Sequence, residues 1–515
     1  LPQKNIEEAV HIVRMENQKK YIAFRRAYPV FYYHGFSLSQ EGDALCVRYD
    51  FEIENLCRFR PTLRIDTAPL QIKNAPDSQA AQRMLFSLGM VELISYWKCA
   101  CPPRVVVECG GLDEADNAFW KRLYFNGLGE FFFRNGIEAD YDTFLTLEAP
   151  AAEPIPHEPF CNSHLNLIPV GGGKDSCVTL ELMRAFHPQN RLFMVNFQEA
   201  RNQCALTAGY TQGDMIHVLR TIDPMLLERN REGFLNGHTP FSAIVAFLSF
   251  YTAYLIGAEH IVLSNESSAN EGNLSGASVN HQYSKSFAFE HDFQQYAHKN
   301  LMPDIHYFSL LRPFNELQIA KYFAALPQYH AVFRSCNAGS KRNVWCRNCA
   351  KCLFVCGILS PFLPPEQLSA IFGENLLERD ELREIFEPGA ARLACRRATS
   401  EELRNILRLG EAFEKTVLEG GDSIAADQAF HSGIVQAMHN DFMAQFIPGI
   451  QRSISQSAAL QDGVNWFSGE TVEDHRLILS FLRIRDQEGA EAAMRLHLVH
   501  IINRLNLPDD GEPVL

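Results

Sequence analysis

The chain has 515 residues, 46% of them hydrophobic and 21% charged, which is ordinary for a globular protein and long enough for about three domains of roughly 150 residues. Its net charge of −14 excludes a broad nucleic-acid surface. Fourteen cysteines in so long a chain exclude a small disulfide scaffold, and four of them sit at metal-ligand spacing, so a reducing cytoplasm is expected.

Charged residues such as Lys4, Glu7 and Glu8 near the start are unlike a signal peptide. The first 160 residues read as an α+β region. Ala44–Ile53 alternates like a strand, Leu85–Trp97 is apolar enough for a packed helix, and Val105–Val107 is a short strand. Ala118–Phe133 reads as helix, with Trp120, Tyr124 and Phe131 as core. The proline-bearing Glu148–Pro156 reads as a linker.

From Leu165 to about Pro361 strand and helix alternate, as a parallel sheet with crossovers requires, giving a domain over residues 161–377. The strands are Leu165–Pro169, Arg191–Phe197 and Ile261–Ser264. Ligands in such sheets bind at the carboxyl ends of the strands, which places Gly171–Ser176, Asn196–Glu199 and Ser264–Glu266 on one rim. The uncharged run Pro240–Gly257 nears membrane-spanning length, but Thr239 can cap it and a strand follows at once, so it reads as a core helix. Residues 378–515 carry only helical spacing, over Asp380–Arg397 (with Pro388 as a break), Ser400–Leu418, Ser423–His439, Asp441–Ser457, Thr471–Gln487 and Gly489–Leu505.

Three groups of residues carry chemistry. Gly171, Gly172, Gly173, Lys174, Asp175 and Ser176 join an apolar strand to a helix start. Glycines allow close backbone approach, and free N–H groups with the helix dipole favour phosphate oxygens. Lys174 adds a point charge, and Asp175 can hold Mg²⁺. The pattern is neither G-x-x-x-x-G-K-[ST] nor G-x-G-x-x-G. Cys336, Cys346, Cys349 and Cys352 can close a tetrahedral Zn–S₄ shell of structural kind, an iron–sulfur cluster being the rival. Between these groups, Glu266, His281, Tyr283 and Lys285 lie in a densely polar stretch just after a buried strand, where such polarity is costly unless it meets ligand or solvent.

The glycine loop resembles the S-G-G-x-D-S signature of PP-loop ATP pyrophosphatases, with Gly171 where that family usually has Ser. The resemblance implies a PP-loop (adenine nucleotide alpha hydrolase-like) parallel sheet. Taken with S-N-E-x-S-A-N-E, N-H-Q-Y-S-K-S and the knuckle W-C-x-x-C-x-K-C-L-F, residues 26–377 resemble the UDP-N-acetylmuramoyl-L-alanyl-L-glutamate epimerase family, MurL. That implies inversion of the terminal L-Glu of a UDP-muramoyl dipeptide, with ATP and Mg²⁺ used and AMP and diphosphate released. His281, Lys285, Glu266 and Tyr283 are the candidate acid/base groups, a thiol pair remaining open. The family's own C-terminal segment is expected near Leu377, where a helical bundle stands instead.

In that bundle Asp427 and His431 lie at i and i+4, with His475 and His497 further on, a set able to hold Zn²⁺, Ni²⁺ or Mn²⁺ with a position open. E-P-G-A-A-R-L-A, D-x-x-F-H, Asn440 and Asp474-His475 resemble the FCD ligand-binding domain of GntR-type regulators over about residues 380–505. This implies a metal held by the Asp and three His, and a small carboxylate on it. No winged helix-turn-helix precedes it, so nucleic acid is not an expected partner, nor is a membrane, while a homodimer is allowed. The alternatives to the epimerase are another PP-loop adenylating enzyme and a small-carboxylate sensor.

Overall fold

A computed structural model describes residues 16–153, 158–266, 283–336, 338–376, 380–419, 423–439 and 469–504. The chain forms two compact units, residues 1–315 and 316–515.

The first unit is built on one mixed sheet of eleven strands. They are β1 (Val30–Gln40), β2 (Ala44–Ile53), β3 (Cys57–Phe59), β4 (Thr62–Asp66), β5 (Arg104–Val107), β6 (Thr146–Glu148), β7 (Leu165–Pro169), β8 (Asn190–Val195), β9 (Met215–Thr221), β10 (Ala258–Leu263) and β11 (His306–Ser309). Their order is β11-β10-β7-β8-β9-β4-β2-β1-β5-β6, with β3 beside β2. β11, β10, β7, β8 and β9 are mutually parallel. The chain runs from β7 outward to β8 and β9, then returns to β10 and β11 on the other side. β7 therefore stands where the strand order reverses, and the crevice beyond its carboxyl end is the usual ligand position of a doubly wound sheet.

The division expected at residue 160 does not separate two bodies. β4 pairs antiparallel with β9, Thr62 opposite Thr221 and Ile65 opposite Val218, so the N-terminal strands extend the parallel sheet. A buried ion pair crosses the same line. Glu92, on helix α1 (Gln79–Trp97), accepts two 2.8 Å bonds from the Arg220 guanidinium, which also donates to Ser95 Oγ at 3.0 Å. Two opposed donors meeting two acceptors satisfy a carboxylate that has no exposure to water.

The predicted strand Ala44–Ile53 is β2, and its inward side chains Leu45, Val47, Tyr49, Phe51 and Ile53 pack in one core with α1. Trp120, Tyr124 and Phe131 are fully buried in that core. They lie on two helices, Glu114–Gly127 and Gly129–Asn135, rather than one. The apolar run is a core helix, Phe241–Ile256, ended by Gly257 in the left-handed region. Its buried Ser249 and Thr252 hydroxyls bond back to the carbonyls of Ala246 and Leu248, so the helix tolerates them without water. No helix among the described residues is long and apolar enough to cross a membrane.

In the second unit, helix Ala350–Leu359 carries the last cysteine of the cluster, Cys352, and is capped by Cys349. The bundle comprises Asp380–Arg397, Ser400–Glu419, Ser423–Ala437, Gly469–Ile484 and Gln487–Arg504. Asp441–Ser457 lies outside the described residues. Pro388 does not break the first of these helices but sits inside it. One proline forfeits a single backbone bond, and small residues C-terminal to it (Ala390, Ala391, Ala394) seat that helix in the bundle core against Phe430, Ile478 and Met494.

Candidate functional site

At the switch point β7 ends in Pro169, and Gly171–Gly173 turn the chain into helix α2 (Lys174–Leu182). No side chain caps the N-terminus of α2, so its first N–H groups are open to an anion. Gly171 N–H donates to Ser176 Oγ at 2.9 Å, which closes the loop on itself. Lys174 is buried at 3% exposure, and its ammonium rests on Asp175 Oδ1. The Asp175 side chain keeps 33% of its surface and faces out of the turn.

Two of the three glycines are not equivalent. Gly172 has φ +79°, and a Cβ there would lie 3.1 Å from Arg201 N and 3.2 Å from Ala200 C. A Cβ on Gly171 would meet only Ser176 Oγ, at an ordinary 3.4 Å. Gly172→Ala is therefore expected to destabilise the protein by about 1–3 kcal/mol, and Gly171→Ser to stay within about 0.5 kcal/mol. Thermal melting of both variants checks this, and an unchanged midpoint for Gly172→Ala would contradict the loop geometry.

Of the four acid/base candidates, His281 lies outside the described residues. The carbonyls of Glu266 and Lys285 both accept from Arg312, each at 2.8 Å. Arg312 in turn pairs with buried Glu290 at 2.8 Å, and Glu290 accepts from Ser309 N and Oγ at 3.1 and 2.6 Å. Asn265 Nδ2 donates to Ser309 Oγ at 3.0 Å. One guanidinium thus ties the backbone of Glu266 and of Lys285 to the segment that follows β11. Tyr283 goes elsewhere. Its ring packs against Phe289, and burial, with Asp292 nearby, pushes its phenol up to about 12 despite a bond to Asn126. At neutral pH the phenol is protonated and donates. Arg312 and Glu290 were not apparent as site residues from sequence; the available signal was an acid set among Phe287, Phe289 and Phe293 on one helix.

In the second unit the donor atoms of Cys336, Cys346, Cys349 and Cys352 lie within 4.8 Å of one another. Cys346 and Cys349 Sγ stand 3.7 and 3.5 Å from Cys352 Sγ. A tetrahedral shell with Zn–S near 2.3 Å requires sulfurs about 3.8 Å apart, so the four thiols fit that ion. Cys336 Sγ accepts N–H bonds from Gly339 at 3.2 Å and Cys346 at 3.4 Å. Burial opposes the thiolate, but these two donors together with the thiols of Cys346 and Cys352 bring Cys336 down to about 7. Gly339 is required, since a Cβ would fall 1.9 Å from the Val344 carbonyl oxygen. Cys356 is fully buried one turn beyond.

Asp427, His431, His475 and His497 also converge, with donor atoms within 4.8 Å and all four side chains buried. His431 and His497 Nε2 are 3.3 Å apart, and His475 Nε2 is 3.3 Å from Asp427 Oδ1. Both nitrogens of His475, and Asp427 Oδ1, lack an aligned hydrogen-bond partner. Phe413 and Phe430 sandwich the His475 ring at 4.3 Å each. Asp474, absent from the sequence-derived ligand set, stands behind, 3.6 Å from His497 Nδ1 and 2.9 Å from His500 Nδ1. A carboxylate behind a histidine fixes which nitrogen faces inward, and a buried carboxylate oxygen without an aligned donor among imidazoles suits a divalent cation. Asn440 lies outside the described residues.

These features define a doubly wound α/β protein with an open helix N-terminus at its switch point, joined in one chain to a helical bundle around a buried Asp/His₃ cluster. The MurL N-terminal domain matches residues 23–310, the MurL C-terminal domain 332–391 and the FCD domain 380–500. The chain belongs to the MurL family. It is 35% identical over 325 residues to a UDP-N-acetyl-alpha-D-muramoyl-L-alanyl-L-glutamate epimerase of Xanthomonas oryzae pv. oryzae, covering 62% of this chain and 71% of that one. It is 37% identical over 321 residues to the protein of the same name from Micromonospora sp., covering 60% and 70%. Over 131 residues it is 28% identical to the galactonate operon transcriptional repressor of Escherichia coli K12, covering 24% and 55%. The expected boundary near Leu377 moves to residue 391, beyond which the FCD match continues alone. The family's C-terminal segment is matched to residue 391, and it shares residues 380–391 with the FCD match.

Proposed function

We propose that the chain inverts the α-carbon of the terminal L-Glu of UDP-MurNAc-L-Ala-L-Glu, giving the D-Glu isomer for peptidoglycan precursor synthesis in the cytoplasm. The observation that carries this reading is the open N-terminus of α2 behind the glycine loop, at the switch point of a chain in the MurL family. The chemistry explains why a nucleotide is needed. The α-proton of a carboxylate is poorly acidic, because its enediolate carries two negative charges. Attack of the Glu carboxylate on the α-phosphorus of ATP releases diphosphate and leaves an acyl adenylate, in which one charge is gone. A base on one face then removes the proton and an acid on the other returns it. Water cleaves the adenylate to AMP and the D-Glu product.

In this reading Gly171–Gly173 and the N–H groups of α2 grip the diphosphate, Ser176 closes the loop, and Lys174 and Asp175 supply charge, Asp175 toward Mg²⁺. Glu266, His281 and Lys285 are the acid/base set, with Tyr283 restricted to donating. The four cysteines hold structural Zn²⁺. The Asp427, His431, His475 and His497 cluster holds a second divalent metal on which a small carboxylate binds.

The test is to incubate the purified chain with ATP, Mg²⁺ and the UDP-muramoyl dipeptide, then hydrolyse the product and measure glutamate chirality. D-Glu in step with diphosphate supports the epimerase. Diphosphate release with unchanged L-Glu favours another adenylating enzyme of the PP-loop kind. The buried Asp/His₃ cluster supports a second role as a small-carboxylate sensor within the same chain.

A further inference from the structure

We infer that Arg201 is a second anion-binding cation of the glycine loop, taking a diphosphate oxygen that the loop itself cannot neutralise. This rests on the nucleotide reading above.

Arg201 lies in the first turn of the helix Glu199–Thr207 that follows β8. Its backbone N and its Cγ form the floor against which Gly172 rests, 3.1 and 3.2 Å from where a Cβ would be. The side chain thus runs directly along the loop. Nη1 is tied down on the carbonyl oxygens at the end of β8, those of Val195 and, at 3.2 Å, Asn196. Asn196 holds the strained geometry that makes this possible. It has φ 58°, and its Oδ1 accepts from Arg220 N at 2.8 Å. The fork is therefore fixed in direction before any ligand arrives.

What the fork lacks is a counter-charge. Among the described residues its acceptors are neutral carbonyls, and its Nε is buried without a hydrogen-bond partner. Among the described residues no carboxylate shifts it, and burial alone holds its pKa below the usual arginine value. Two other partly buried arginines of this unit, Arg220 and Arg312, each meet an acid, Glu92 and Glu290. A partly buried guanidinium that meets no acid among the described residues is available to an anion, and arginine matches phosphate oxygens with its planar fork. Beside a loop with open N–H groups, that anion is the one the loop receives. Lys174, the loop's own cation, is shared with Asp175, and Arg201 adds a second positive charge beside it.

The test uses the full chain, with inorganic diphosphate as the probe. Arg201→Gln keeps the aliphatic stem that packs on Gly172 but removes the charge. Calorimetric titration should show diphosphate binding weakened by about ten- to a hundredfold, since hydrogen bonds to charged groups are the strong ones. The ligand-free melting temperature of that variant should equal or exceed the wild type, because a partly buried charge that meets no acid is gone. A structural arginine would do the reverse, so a lower ligand-free midpoint with unchanged affinity overturns the inference. A second measurement needs no variant. Diphosphate should shield Arg201 of the wild type from phenylglyoxal, read by peptide mass spectrometry, and equal modification with and without diphosphate would also overturn it. If the wild type binds no diphosphate, the nucleotide reading of the loop fails with it. If the wild type binds and Arg201→Gln binds equally, only the role of Arg201 fails.

Discussion

Asp175→Asn is expected to lower ATP-dependent diphosphate release by roughly 10²-fold or more while the protein remains folded. The side chain projects from the first turn of α2, with a third of its surface open. Asparagine is nearly isosteric and still offers Lys174 a carbonyl oxygen, so the packing of the loop survives. What disappears is the charge that an octahedral Mg²⁺ demands, since this ion binds through carboxylates and phosphate oxygens rather than amides. The stability cost is confined to an acid at a helix N-terminus, about 0.3–1 kcal/mol. A coupled diphosphate assay beside a circular-dichroism melt separates the two effects. Wild-type turnover in the variant would remove the loop from the chemistry altogether. A collapse of the melt would mean that Lys174 and Asp175 serve as a structural pair.

The glycine loop was legible because local rules suffice: an apolar strand, three glycines and a helix start fall within a dozen residues. The same holds for the cysteine spacing and for Asp427 and His431 at i and i+4 on one helix. His475 and His497 were further histidines of the helical tail, at no spacing that one helix could check, and the fold brings both to the other two. What sequence could not supply was long-range pairing. Nothing near Thr62–Asp66 announces that β4 will lie against β9, more than 150 residues away, so the first 160 residues read as a separate domain. Arg201 and Arg312 are ordinary surface residues by composition, and only the folded chain shows one without an acid and the other holding two backbone carbonyls. Pro388 carried a strong local signal for a helix end, and packing of the bundle overrode it.

Divalent metal should raise the melting midpoint of the helical bundle by about 5–10 °C at a hundredfold excess over its dissociation constant, worth about 2.7 kcal/mol by mass action. The physical reason lies in what the fold buries: Asp427 Oδ1 and both ring nitrogens of His475 have no aligned hydrogen-bond partner, so the metal-free site is a standing cost. Burial, opposed by Asp427, brings the His475 pKa down to about 4, so the ring is neutral at pH 7 and ready to ligate without losing a proton. The sign of the metal-free pH dependence follows. The unfolded histidine takes a proton below about 6.5 while the folded one does not, so this contribution is present above 6.5 and is lost as pH falls toward 4. His475→Ala also leaves a cavity between Phe413 and Phe430, and the measure is therefore the metal-dependent gain within each protein, not the midpoint itself. Nickel or zinc added after chelator should restore the wild type and leave His475→Ala unmoved. Metal content by elemental analysis should fall in the variant by one ion per chain, with the zinc of the four cysteines retained. An equal thermal gain in both proteins would exclude the Asp427, His431, His475 and His497 cluster as a metal centre.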